Sequence, residues 1–289
     1  MKLSEYVSAQ TMIGAAVVSY VTQFGKLFAA PMLSVAEWLR VLEMLFPEVQ
    51  RQRIASAELA RRYYDAERAK HLPGRHDHLI SPYEFEDFVR NMDPVRPRFS
   101  AENATEKAIG ALARRAVREV ENGGRQQIIK AVRTDNQQDP NALNQTRTVK
   151  GWARVATGAE TCAWCLMLVS RGPVYLGADT AGLNLGDSTA KRMIAAGLDV
   201  SDDMEQWHDG CDCKVVPVFD KQNWPGKAAA DRALELWNEA SKEAQRELDE
   251  MTDAEREKVT LNNRAINALR RRLYRDEIDP AEWAALMAA

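Results

Sequence analysis

The chain reads as a mainly α protein: a helical N-terminal domain over 1–145, a small central α+β module over 146–225 and a helical C-terminal arm over 226–289. Three observations predict this. Apolar residues recur at three- and four-residue steps through both ends of the chain, capping signatures stand where such runs begin, and the pattern turns strand-like and irregular only in the middle.

The first run spaces Tyr6, Ile13, Val17, Tyr20, Phe24 and Leu27 along one face of a long amphipathic helix, which Pro31 ends. Ser34 with Glu37 forms a capping box ahead of Trp38, Val41, Leu42 and Leu45, predicting a second helix that stops near Pro47. Val49, Ile54, Leu59 and Tyr63 then predict a third helix to about Lys70, with a charged outer face. His71, His76 and His78 fall in a stretch with Pro73 and Gly74 that cannot continue a helix, and are expected as solvated histidines of an exposed loop. Ser81, Pro82 and Glu84 open a short helix through Phe85 and Phe88 that stops at the Pro94 and Pro97 loop. An Ala-rich helix is expected over 100–122, closed by Gly123 and Gly124.

After Pro140 the character changes: Val149 to Thr157 and the KVVPVFD stretch read as strands, with Gly- and Asp-rich irregular chain between them. Helical patterning returns after Trp224-Pro225-Gly226 with Leu234, Leu236 and Trp237. It continues past a Thr252 to Glu255 capping box through Ile266, Leu269 and Leu273, and ends in a short helix with Trp283 and Leu286.

Composition narrows the function classes. With 289 residues and 45% hydrophobic content the chain supports roughly two domains and at least one core. Lys and Arg total 39 against 42 Asp and Glu, so no global field draws it to nucleic acid or an anionic membrane. No segment approaches the roughly 20 apolar residues of a membrane span, and the opening MKLSEYVSAQ argues against a secretory signal. The expectation is a protein of the cytoplasm, where thiols stay reduced. Locally, Lys107, Arg114, Arg115, Arg118, Arg125, Lys130 and Arg133 face only Glu119 and Glu121, a segment able to touch a phosphate backbone or to form a solvated helix face.

All four cysteines of the chain, Cys162, Cys165, Cys211 and Cys213, fall in this central module, with His208 beside the second pair. A Cys-x-x-Cys turn sets two thiolates on one side of a tight knuckle, as a tetrahedral zinc ion needs. His208, Cys211 and Cys213 offer three atoms for the two remaining places, and Gly210 lets the backbone bend toward them. A structural zinc site is the favoured reading; reduced cysteines in a core, disulfides and catalysis are the others. Catalysis is disfavoured by composition, since a hydrolytic zinc usually has a His-rich or carboxylate set with an open position.

The central stretch also carries a family likeness. Trp152-Ala153-Arg154, Cys162-Ala163-Trp164-Cys165-Leu166, Ser170-Arg171-Gly172-Pro173-Val174-Tyr175, Trp207-His208-Asp209-Gly210-Cys211-Asp212-Cys213 and Pro217-Val218, with the Arg53 to Tyr64 segment, resemble the MuF-like minor head proteins of tailed bacteriophages, above all those of actinobacteriophages. The resemblance implies a minor capsid protein of the virion, assembled in the host cytoplasm. It would act near the portal protein and the major capsid protein in head morphogenesis and in DNA packaging or ejection. Some members of that group are described as capsid maturation proteases, often through a fused domain. Here the nearest nucleophile and base are Ser170 and His208, without a Gly-x-Ser-x-Gly elbow.

Overall fold

Helix formation is local chemistry at several starts. The computed structural model describes residues 1–28, 32–101, 106–137, 149–157, 161–173, 192, 196, 207, 209–211, 213–279 and 281–288. Pro31, the 139–148 stretch, Val174, Tyr175, His208, Asp212 and most of 176–206 lie outside the described residues. Two compact units divide the chain, one of Met1–Gln138 with Trp207–Gly210, the other of Asp139–Gln206 with Cys211–Ala289.

The first unit is built on α1 (Leu3–Lys26), α2 (Val35–Arg68), α3 (Phe85–Met92), a 3-10 turn (Asp93–Val95), α4 (Arg96–Phe99) and α5 (Glu106–Gln137). The Ser34 hydroxyl takes the Glu37 amide while the Glu37 carboxylate returns to the Ser34 amide at 2.8 Å, so the expected box starts α2. Two of the expected helices are one, however, because α2 runs through Pro47 to Arg68. A proline inside a helix costs about 3 kcal/mol. Leu45 and Val49, both fully buried beside it, contribute about 1.5–3 kcal/mol each, which outweighs the lost bond. Likewise α5 does not end at its glycine pair. A Cβ on Gly123 would lie 2.6 Å from the Arg53 carbonyl oxygen, and one on Gly124 2.7 Å from Gln10 Nε2. The pair thus lets α5 press against α1 and α2 instead of breaking it. On α1, Tyr6 and Val17 of the expected face are buried, joined by Gln10, Gly14 and Gly25, while Tyr20 is exposed, as is Leu27 just beyond its end.

The core of this unit joins Val17, Val21, Trp38, Leu42, Leu45, Phe88, Phe99, Leu112 and Val120. His71 is exposed as expected, but the other loop histidines are not: His76 and His78 are buried and stacked, ring centroids 5.1 Å apart. Their partners come from the long helices. His78 Nε2 lies 3.0 Å from Asp65 Oδ1, and His76 Nε2 lies 3.0 Å from Thr134 Oγ1. Asp135, also buried, accepts from the Tyr64 hydroxyl at 2.8 Å and from Arg68 Nε at 2.7 Å.

The second unit pairs β1 (Gly151–Val155) antiparallel with β2 (Lys214–Val218), with Trp152 opposite Pro217 and Arg154 opposite Val215. Both strands are buried throughout. α6 (Ala163–Val169) packs on α7 (Lys227–Asp249) and α9 (Leu261–Tyr274). Between them α8 (Asp253–Arg256) carries the Thr252 and Glu255 capping box, and α10 (Ala281–Ala288) closes the chain with buried Trp283. α7 packs on α9, and their buried positions are mostly small: Ala229, Ala233, Ala240 and Ala244 with Leu236 on one, Ala265 and Ala268 with Ile266 and Leu269 on the other. Arg271 and Arg272 bridge the rim of this contact to Glu243, with Arg271 also reaching Glu247. Gly226 enters α7 with φ +94°, where any Cβ would overlap the Val155 side chain.

Candidate metal centre

The cysteines come from three pieces of local structure within the second unit. Cys162 is the N-cap of α6, its sulfur accepting the Cys165 amide at 3.4 Å. Cys165 sits in the first turn of α6, and Cys211 and Cys213 lead directly into β2. The pairing of β1 with β2 and the packing of α6 bring these stretches together. Sγ to Sγ separations are 3.5 Å for Cys162 to Cys165, 3.5 Å for Cys165 to Cys211, 3.0 Å for Cys211 to Cys213 and 3.7 Å for Cys213 to Cys165. All four are free thiols, three of them buried and Cys162 partly exposed.

Cys165, Cys211 and Cys213 form a triangle whose sulfurs all lie within 4.8 Å of one another, a set able to bind a metal ion. Cys162 lies against one corner of it. Sulfurs held 2.3 Å from a tetrahedral zinc stand about 3.8 Å apart, close to most of the separations observed. The donor set therefore fits a thiophilic ion. His208 lies outside the described residues.

As bare thiols these groups resist ionisation: contacts with Cys162, then Cys211 and Cys213, and then burial hold the Cys165 thiol well above its ordinary value. At Cys213 the contact from Cys165 acts downward, but Cys211 and complete burial win and raise it. A divalent cation inverts this order, because a coordinating thiol gives up its proton outright. The unlike neighbour is Arg154 of β1, 1% exposed, with Nη1 3.9 Å from Cys213 Sγ. Sequence reasoning does not place Arg154 in the site. The signal available was one arginine between Ala153 and Val155 in a strand of otherwise uncharged residues.

The other expected site residues fall as follows. Ser170 is the C-cap of α6 and its hydroxyl donates to the Met167 carbonyl at 2.7 Å, a local bond that ties down the residue end of the helix. Of the seven basic side chains, Arg115 and Arg118 reach Asp209 Oδ1 at 3.1 and 3.6 Å, within the first unit. Arg125 is buried, bonded to Glu121 at 2.6 Å with its guanidinium over the Trp207 ring, and Lys130 donates to Leu79 O and Ser81 Oγ. Lys107, Arg114 and Arg133 are exposed. No helix among the described residues is long and apolar enough to cross a membrane.

Comparison with known proteins shows the family. The family described as VG15 protein matches residues 1–240. The chain belongs to the VG15 family. The Gene 15 protein of Mycobacterium phage D29 is 48% identical over 283 residues, covering 94% of this chain and 99% of its own. That of Mycobacterium phage L5 is 45% identical over 302 residues, covering 98% and 99%. No solved structure matches the chain. The VG15 match takes in all of the first unit, the second as far as residue 240, and all four cysteines.

Proposed function

We propose that this VG15 protein is a phage minor head protein of MuF-like type, acting near the portal in head assembly and in DNA packaging or ejection. A structural zinc ion, bound by Cys162, Cys165, Cys211 and Cys213 with His208 as the remaining candidate, clamps its second unit and performs no chemistry. The observation that carries the zinc reading is the convergence of three buried thiols, Cys165, Cys211 and Cys213, at 3.0 to 3.7 Å, with the Cys162 sulfur 3.5 Å from that of Cys165. Support for the head role is the phage origin of relatives that match at full length, together with the motif likeness around the cysteines.

The geometry also favours a clamp over catalysis. Three of the four thiols are buried, whereas a catalytic metal keeps an open position. The Ser170 hydroxyl is turned to a carbonyl of its own helix. Partners in this reading are the portal protein and the major capsid protein, and the protein resides in the virion. Contact with packaged DNA falls chiefly to the exposed Lys107, Arg114 and Arg133.

Metal content by mass spectrometry, on protein purified under reducing conditions, tests the first part. About one zinc per chain is expected; none would overturn the clamp. Co-purification with the portal protein, and detection of the chain in purified virions, test the second. Absence from virions would overturn the head role, and specific cleavage of co-expressed major capsid protein would replace it with a maturation protease.

A further inference from the structure

A divalent ion held by four thiolates carries a net double negative charge, and a buried net charge is costly unless an opposite charge lies beside it. The second unit contains such a charge. Arg154 is carried on β1 with only 1% of its surface exposed, and its Nη1 stands 3.9 Å from the sulfur of Cys213, which has no exposed surface. A guanidinium does not lose its proton in a protein, so this position is cationic in every state of the site. It is also weakly hydrated for a cation, which makes arginine the basic side chain best suited to burial beside a soft anion. The strand pairing holds it there. Arg154 lies opposite Val215, two residues past Cys213, in a ladder whose ten positions are all buried, so the stem has little room to swing away.

We propose that Arg154 is the fixed counter-charge of a four-thiolate metal site formed by Cys162, Cys165, Cys211 and Cys213. Metal retention then depends on a buried guanidinium as well as on the sulfurs. This rests on the zinc reading above and deepens it, by completing the ligand set with Cys162 and by adding a positioning residue that binds no metal itself. The cation lowers the cost of holding thiolates in an apolar interior, and its contact with Cys213 holds that sulfur beside those of Cys165 and Cys211.

The test measures Zn2+ affinity of the full chain by competition with a chromophoric chelator, and the absorption spectrum of the Co2+-loaded protein. Wild type is expected to bind both ions, with a Co2+ spectrum of four sulfur ligands. R154Q and R154M should bind Zn2+ about 10–100-fold more weakly, the range found when a group supporting a metal ligand is removed. R154K should recover most of that loss, because charge is restored without the fork. Equal affinity in R154Q, R154M and wild type would overturn the proposal while leaving zinc binding intact. A Co2+ spectrum of three sulfurs and one nitrogen would overturn the four-thiolate set, and no binding by wild type would overturn both readings. If neither neutral variant folds in zinc but R154K does, charge is what separates them and the proposal stands. Failure of all three to fold would overturn it by assigning Arg154 to strand packing.

Discussion

Nε2 of His78 lies 3.0 Å from Oδ1 of Asp65, and the imidazole making this contact has no exposed surface. Its other nitrogen lies 2.8 Å from Gln127 Nε2, so both sides of the ring are engaged. Burial lowers the His78 pKa below its ordinary value, and the Asp65 contact offsets only part of that. The unfolded chain therefore takes up a proton that the folded chain resists. Stability from this site is present above the ordinary histidine value of about 6.5 and is lost as pH falls toward the depressed folded value. Melting curves from about pH 7.5 to about pH 5 should show a declining Tm. H78Q should melt lower at neutral pH and lose less on acidification. Parallel declines in the two proteins would show that His78 is not the titrating group.

Gly123 and Gly110 lie on the same helix, yet the same substitution should act on them in opposite directions. A Cβ at Gly123 meets the Arg53 carbonyl oxygen at 2.6 Å and Arg53 Cγ at 2.7 Å, backbone and buried stem that cannot yield. G123A should cost about 1–3 kcal/mol by overpacking. At Gly110 the Cβ meets only the far end of the Arg114 side chain, at 3.4 Å. G110A should therefore gain up to about 1 kcal/mol of helix propensity. Urea denaturation of both variants decides this, and equal effects would refute the close approach of α2 and α5.

These glycines mark where the sequence stops being legible. Glycine pairs and prolines are read by local rules as helix ends, but at Gly123, Gly124 and Pro47 the packing of long helices decides instead. The Ser34 and Glu37 box was legible because its partners are three residues apart and need nothing distant. The strands at 151–155 and 214–218 were legible from their composition, and the cysteines from their spacing. Burial of His76 and His78 was not, since their partners Asp65, Gln127 and Thr134 arrive from α2 and α5. For the same reason Arg115, Arg118 and Arg125 read as a basic surface in sequence, although Asp209, Trp207 and Glu121 engage them in the fold. Arg154 needed the pairing of β1 with β2 before its distance to Cys213 meant anything.

Asp135 holds three donors at once: the Tyr64 hydroxyl at 2.8 Å, Arg68 Nε at 2.7 Å and Arg68 Nη2 at 3.1 Å. Both members of the ion pair are largely buried, at 3% and 12% side-chain exposure, so screening is weak. Breaking a buried pair leaves one charge uncompensated, and D135N should cost about 3–5 kcal/mol. Y64F removes a single donor to that carboxylate and should cost less, about 1.5–3 kcal/mol. Chemical denaturation of the two variants compares them directly. A D135N cost no larger than that of Y64F would show that the Arg68 pair contributes little.

Cys165 has the most sulfur neighbours, touching Cys162, Cys211 and Cys213 within 3.7 Å. C165S should therefore abolish zinc binding, whereas C162S, at the partly exposed edge, should weaken it. Structural zinc binding is worth on the order of 10 kcal/mol at neutral pH, and that energy is folding energy where no site exists in the unfolded chain. Chelation of wild type and the C165S substitution should then produce the same change. Hydrogen exchange should rise in peptides spanning α6 and the Cys211 to β2 stretch, which carry the ligands, and in β1, which pairs with β2, while α2 and α5 keep their protection. A wild-type protein whose exchange is indifferent to chelator, matched by an equally protected C165S, would mean that the cysteines are packed thiols and the clamp does not exist.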